Sequence, residues 1–583
     1  MLTHFRKYKV EILKNVPFIT PEGKTYKHTA AISFFNEENE EIGYLEKGFV
    51  TTEEIYEQIY AEKDIDVSYC YIQNFSMYVY RKYFDLEKNS RIKIKSFRAN
   101  ESIFESRIAT DFSFTEFENG NFFLSHSIFL KGSVLFNNSL FGEGTKDLSY
   151  IFLRKGDFDF SSVVLKDGKF ILKNSILGKG EKTFKDTVFG NGEKNFANID
   201  FGEGDVQFIH TSFNEGKVSF KISHFGVGEV DFHYSSFGKG DISFERTIFE
   251  RGDIDFSKIE FGEGKINFNR AILNGNISFE GSELKNGKIS FKKAIFGHSF
   301  FNCEELHFAT SNVILDSAFI SEVNISFNRA SINTLSLKSC NINRYLDLRL
   351  KYCNELDLSD TIVRDIIDLF PEYNNIEIKT LKFPGMRLLG TLLIDWEKNK
   401  IKELIINQKL TSTGQKAEQF RILKKNFSDI GRYNDEDKAY LEFKRYEALD
   451  KKQQILKKNR YNAIWYMPLY WSKLLIFDKM GHYATNPLRV LFSMVVVYSS
   501  FSLLYFLMII FKLGDIVSGI GGAHAEISSL SKSFFFAAIT FLTIGYGDFY
   551  PMGTIRFLSS IEGFTGVFLM SYFTVAFVRK ILR

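Results

Sequence analysis

Residues 543–548 read Thr-Ile-Gly-Tyr-Gly-Asp, and this run carries the clearest chemistry in the chain. Gly545 and Gly547 lack a Cβ and can adopt backbone angles that other L-residues resist. Alternating them with Ile544 and Tyr546 turns successive carbonyls toward one axis. Four copies of such a strand around that axis make rings of oxygens able to replace the water shell of a dehydrated cation.

The flanking elements suit that task. Val490 to Phe511 contains no charged residue, and at ~1.5 Å per residue it extends about 33 Å, enough to cross a hydrocarbon core of ~30 Å. A second span, Phe557 to Val578, carries one carboxylate, Glu562. Between them lie a polar loop, Lys512 to Ser529, and an apolar stretch, Ser533 to Phe541, too short to cross a bilayer. That stretch reads as a half-membrane helix whose C-terminal dipole end favours a cation beyond it.

The run Thr543–Asp548, set in the order span, re-entrant helix, filter, span, resembles the pore of two-transmembrane potassium channels over about the last hundred residues. The resemblance implies passive K+ conduction through a homotetramer. K+ is then the transported ion, held at the carbonyls of Thr543, Ile544, Gly545 and Tyr546 and followed by Gly547, with the Thr543 hydroxyl at the inner mouth. Tyr546 is expected to brace the filter against pore-helix aromatics; Phe535 and Phe536 stand where the family often has tryptophans. Asp548 is expected to fix the outer end of the filter, with a solvated loop carboxylate as the alternative. Leu542 replaces a common threonine. Glu562, costly within a span, is expected either to hydrogen-bond to pore-helix or filter backbone or to stay wet near the interface. Gly566 is the candidate gating hinge and Gly563 its alternative; close helix packing through a small residue competes with both. His524, in the outer loop, is a candidate pH sensor or a bystander.

Met1 to Lys9 has no apolar run, so no export signal is expected. Lys457, Lys458, Arg460, Lys473, Lys479 and Arg489 precede the first span, and Arg579, Lys580 and Arg583 follow the second. This bias places both termini in the cytoplasm of a cell-membrane protein, with the lipid bilayer as its first partner.

At 583 residues the chain exceeds one domain. A net charge of +3 gives no electrostatic case for nucleic acid. The 64 phenylalanines and 7 prolines suggest a large regular β structure. Cys70, Cys303, Cys340 and Cys353 show no paired spacing and read as small buried thiols, with no metal site and no disulfides. No Walker loop, nucleophile elbow or ligand His pair stands out, so neither an enzyme nor a cofactor is expected.

From Phe117 the sequence repeats every 12 residues. One column runs Phe117, Phe129, Phe141, Leu153 onward to Leu273; a glycine column keeps step from Gly120 to Gly264; a third runs Leu124, Phe136, Leu148 onward to Phe268. Val206, Val218, Val230, Ile242, Ile254 and Ile266 sit two residues before that third column. Such regularity marks a solenoid. The step from Phe208 to Phe213 is five residues and that from Phe213 to Phe220 is seven, with glycine in the lengthened corner. Five-residue steps resemble pentapeptide repeats, which wind a four-sided right-handed β-helix; a coil here would take two 12-residue periods. The outer charges Glu203, Asp205, Lys217, Glu229, Lys239, Asp241 and Arg251 balance, which favours a solvated face or protein-docking platform over a DNA mimic.

The chain is therefore read as multidomain: an N-terminal α/β capping region (1–100), a cytoplasmic pentapeptide-like β-solenoid (101–400), a helical connector with an interfacial helix (413–485), and an α-helical two-transmembrane pore domain (486–583). In the connector, Phe420, Leu423 and Phe427 share a helical face, Tyr433–Asp435 marks a turn, and Trp465 to Phe477 suits a helix lying on the membrane surface or a plain packing helix. With Arg583 just past the second span, regulation by the solenoid is expected to act through the first span or by lateral contact with the second. The alternative function is a membrane-anchored scaffold whose solenoid recruits protein partners.

Overall fold

A computed structural model describes residues 5–297, 299–371, 377–458, 463–519 and 527–582. The chain forms two compact units, Met1–Gln408 and Lys409–Arg583.

The first unit is a β-solenoid of short parallel strands. Val206, Val230 and Ile254 stack on one face, and Val218, Ile242 and Ile266 on another. His224, Ile248 and Ile272 make a third face, and Ser236 and Glu260 a fourth. Equivalent residues lie 24 apart, as the Asn198–Asn174 side-chain hydrogen bond illustrates. Each coil is thus four-sided and spends two sequence periods. Later coils change length: Ile254 pairs with Ile277, Ile325 with Leu346, and Ile367 with Leu392.

The coil starts earlier than the expected boundary near residue 100. Gly48 and Phe49 already pair in parallel with Cys70 and Tyr71, and Tyr71 and Ile72 with Ile103 and Phe104. The repeat is hidden there because α1 (Thr52–Tyr60) and α2 (Met77–Tyr83) are inserted between strands. Three antiparallel strands, Lys7–Leu13, His28–Phe35 and Glu41–Phe49, lead into the coil. At the other end Thr391–Leu393 is the last strand; α3 (Ile401–Ile406) follows, and the Gln408 side-chain amide donates to the Leu381 carbonyl.

Phenylalanine ladders fill the interior. Phe208, Phe232 and Phe256 stack at 4.6 and 5.0 Å; Phe220, Phe244 and Phe268 stack at 4.9 and 4.6 Å. The two ladders meet edge to face, 5.7 Å apart at Phe220 and Phe232. Each buried ring contributes roughly 1.5–3 kcal/mol. The lengthened corners need glycine for space: a Cβ on Gly216 would collide with the Gly192 carbonyl one coil away. A column of buried hydroxyls also links the coils. Thr211 donates to the Phe184 carbonyl at 2.8 Å, while Ser223 donates to that of Phe196 at 2.7 Å and accepts the Ile199 amide at 3.1 Å. The four cysteines are buried and free.

The second unit is helical. α4 (Thr413–Asp429) and α5 (Tyr433–Lys458) form a hairpin whose turn is Ile430–Arg432, so Tyr433–Asp435 opens α5 and is not the turn itself. Arg432 closes it by donating its amide to the Phe427 carbonyl. α6 (Ala463–Lys473) continues as a π-helix, Leu474–Lys479, and leaves Ile464, Leu469, Trp471 and Leu475 exposed, the pattern an interfacial helix needs. Among the described residues two helices are long and apolar enough to span a membrane: α7 (Pro487–Ile510) and, after the short α8 (Ser529–Phe541), α9 (Ile555–Ile581).

Three lysines occupy the inward Val/Ile column. Lys182 stands between Phe158 and Val206 and is fully buried, with Lys146 and Lys194 nearly so. The Lys182 ammonium donates to the carbonyls of Gly178, Gly180 and Glu203 at 2.6, 2.7 and 2.8 Å, so corner carbonyls, not carboxylates, solvate it. Burial pushes the Lys182 ammonium down from 10.5 to about 8. Between those values the unfolded chain binds more protons, so the coil gains stability as pH rises through that window; below it the burial cost is present in full. Lys182→Met removes this dependence. In denaturant unfolding of residues 1–408, followed at Trp396, their sole tryptophan, the native sequence should gain on the variant from about pH 8 to about pH 10. Parallel profiles would contradict it.

Candidate functional site

The site is built where α8 ends. Ser528 caps the start of α8, accepting the Ser531 amide at 3.2 Å. Asn486 caps α7, with Pro487 in its first turn. α8 lies against α7 through Phe536 on Tyr505, edge to face at 5.4 Å, and through the Tyr498 hydroxyl, which donates to the Phe534 carbonyl at 3.2 Å. It meets α9 at Gly566, where a Cβ would overlap the Phe541 carbonyl. A Cβ on Gly563 would have room, its nearest neighbour being the Thr540 carbonyl at 3.9 Å. Gly566 therefore lets the end of α8 approach the middle of α9, the close-packing alternative, and α9 runs unbroken through both glycines.

α8 stops in a Schellman turn. The Thr543 amide donates to the Thr540 carbonyl at 3.1 Å and the Ile544 amide to the Ile539 carbonyl at 2.9 Å. Thr543 takes the left-handed position, φ +53°, where glycine is the usual occupant. Left-handed geometry then recurs at every second residue: Gly545 at φ +61° and Gly547 at φ +84°. Among the described residues, the carbonyls of Thr543, Ile544, Gly545 and Tyr546 accept no hydrogen bond within the chain. The Thr543 hydroxyl donates to the Leu542 carbonyl at 2.7 Å. The strand is open on one side, with Ile544 45 % and Tyr546 71 % exposed.

The far end of this strand is clamped. Gly514–Ser518, just after α7, pairs antiparallel with Phe549–Gly553, and the Gly519 amide donates to the Asp548 carbonyl at 2.8 Å. Asp548 is half-buried, with one carboxylate oxygen enclosed and without a hydrogen-bond partner among the described residues. Phe535 packs edge to face on Phe549 at 5.7 Å and Phe536 on Tyr505. Neither reaches Tyr546, so the expected brace is not formed within one chain; these rings hold the ribbon and α7 instead. Glu562 is fully buried and accepts the Tyr505 hydroxyl at 2.6 Å on one oxygen; the other has no partner among the described residues. Its partner among the described residues is thus a first-span side chain, not pore-helix or filter backbone. Tyr505, one of two phenols in the uncharged first span, was the signal that pairs with a lone carboxylate in the other. His524 lies outside the described residues.

At the other end of α9, Arg579 binds Asp437 at 3.0 Å and stacks over the Tyr440 ring at 4.4 Å. Lys580 reaches Asp437 at 3.1 Å and the Asn434 amide oxygen at 3.3 Å. The Tyr572 hydroxyl donates to the Phe477 carbonyl at 3.1 Å and accepts the Ala484 amide at 3.0 Å. Arg445 grips Asp478 through three hydrogen bonds of 2.8–3.1 Å. The α4–α5 hairpin and the α6–α7 linker are thereby fastened to the end of α9. In the sequence Arg579 and Lys580 stand out only as topology signals.

Residues 491–583 match the family model described as ion channel. No curated protein and no solved structure matches the chain.

The contrast between the two glycines is testable by thermal unfolding of the detergent-solubilised protein. Gly566→Ala should melt earlier, by the equivalent of about 1–3 kcal/mol for an overpacked contact, while Gly563→Ala leaves the midpoint unchanged. Equal shifts would contradict the packing described.

Proposed function

We propose, taking as premise that residues 491–583 are an ion-channel domain embedded in a membrane, that the protein conducts K+ passively and selectively. The observation that carries this reading is the alternating left-handed geometry of Thr543, Gly545 and Gly547 with four unbonded carbonyls beside it. Non-helical backbone at membrane depth is tolerated only where protein buries it or water bathes it. The open side of the strand therefore calls for identical copies, and a homotetramer around a central K+ meets that need with one ring of oxygens per residue. Both termini and the solenoid are assigned to the cytoplasm of a cell membrane from the lysine and arginine bias at the span ends. No cofactor and no enzymatic step belong to this reading.

Reconstituted full-length protein should admit thallium into liposomes down a gradient. Gly545→Ala, which puts a side chain at φ +61°, should abolish influx. No influx from the native sequence would favour the membrane-anchored scaffold.

The solenoid is proposed to bias opening through the hairpin latch on α9. Asp437→Arg should change open probability in planar bilayers by about fivefold or more without altering ion selectivity. Adding Arg579→Asp should restore it. An unaffected open probability in the single variant would remove the latch from gating.

A further inference from the structure

On one outward face of the solenoid, Asp231 stands in register with Asp255 of the next coil. Like charges stacked across neighbouring strands repel. Among the described residues no lysine or arginine forms an ion pair with either carboxylate; Lys258 donates instead to the Tyr234 hydroxyl at 3.1 Å. The group that meets them is His233. Its amide donates to Asp231 Oδ1 at 2.9 Å, and its Nδ1 lies 2.7 Å from the same oxygen. One ligand atom from each of Asp231, His233 and Asp255 lies within 4.8 Å of the others, and all three residues are half-buried.

The same ladder shows what such a stack requires. It continues through Ser278, Asn302, Ser326, Asp347 and Asp368, one residue per coil, and its last two members are again stacked carboxylates. Arg349 follows Asp347 by two positions, as His233 follows Asp231. Arg349 donates its amide to Asp347 Oδ1 at 3.0 Å, repeating the turn at His233, and its Nε to both Asp347 oxygens at 2.9 and 3.1 Å. Asp368 lies 4.0 Å from that Nε. A built-in cation thus answers the later stack, and an imidazole holds its place in the earlier one. His233 hydrogen-bonds Asp231 but, among the described residues, not Asp255, so its proton answers one carboxylate. A divalent cation answers both.

We propose that Asp231, His233 and Asp255 bind a divalent transition cation of the zinc type, with water completing its shell. An imidazole beside two carboxylates suits Zn2+ better than Mg2+ or Ca2+, which favour oxygen ligands throughout. Ligands of one tetrahedral Zn2+ stand about 3.4 Å apart, so side-chain rotations of about 1 Å close the set. A seated ion cross-links two successive coils. The inference needs only the solenoid, so metal binding and K+ conduction can fail separately.

Equilibrium dialysis of the untagged full-length protein in detergent against Zn2+, followed by metal counting, tests it. The native sequence should retain a Zn2+ ion that His233→Gln and Asp255→Asn each bind about tenfold or more weakly. His224→Gln should keep it, because Asp200 at 3.1 Å and Glu250 at 3.4 Å meet that ring on different nitrogens and so cannot share one ion with it. His233→Arg copies the arrangement at Arg349. It should abolish retention while leaving the metal-free melting midpoint at or above the native value, which separates lost binding from lost folding. No retained Zn2+, equal retention by the native sequence and His233→Gln, or displacement by equimolar Ca2+ would each overturn the proposal.

Discussion

A backbone carbonyl at membrane depth must be hydrogen-bonded, hydrated or bound to an ion, and the second unit is arranged around four carbonyls that accept no hydrogen bond within the chain among the described residues. The Schellman turn uses the amides of Thr543 and Ile544 to finish α8 and leaves the next carbonyls free. Gly566 brings the end of α8 to mid-helix on α9, which sets the depth at which those carbonyls begin. The ribbon Gly514–Ser518 with Phe549–Gly553 fixes where they end. Tyr505 and Glu562 tie the two spans together behind this frame with a buried hydrogen bond, so the strand is held at both ends while one side stays open within the chain.

The solenoid obeys a different constraint. Through the regular 24-residue coils each must present its successor with the same backbone outline, because ladder hydrogen bonds and ring stacks repeat at one spacing. Corner glycines keep that outline where a Cβ would strike the coil below, and buried serines and threonines supply hydroxyls that bridge one coil's amide and another's carbonyl. Lys146, Lys182 and Lys194 show how far the corner tolerates substitution: an ammonium replaces an aliphatic side chain because carbonyls converge where it ends. Exterior pairs such as Lys179–Glu203 at 2.7 Å add little individually.

Much of this was legible beforehand for physical reasons. The 12-residue columns report burial directly, since each buried position demands a large apolar residue. The two spans are legible because a bilayer sets their length and composition. What stayed hidden depends on partners remote in sequence. The first coils lack the glycine column and carry inserted helices, so their strands did not announce a period. The hydroxyl column looks like ordinary surface serine until the coil below is in place. Glu562 was recognisable as costly, but its donor, Tyr505, lies 57 residues away. The Tyr546 brace was expected from a resemblance, and one chain alone places Phe535 and Phe536 on other rings.

The central claim is that the free carbonyls of Thr543, Ile544, Gly545 and Tyr546 replace the hydration shell of K+ and not that of Na+. The most direct measurement is the reversal potential of the purified full-length protein in a planar bilayer with K+ on one side and Na+ on the other. The account predicts a reversal close to the K+ equilibrium potential. A reversal near zero, with Na+ carrying current as readily as K+, would contradict it.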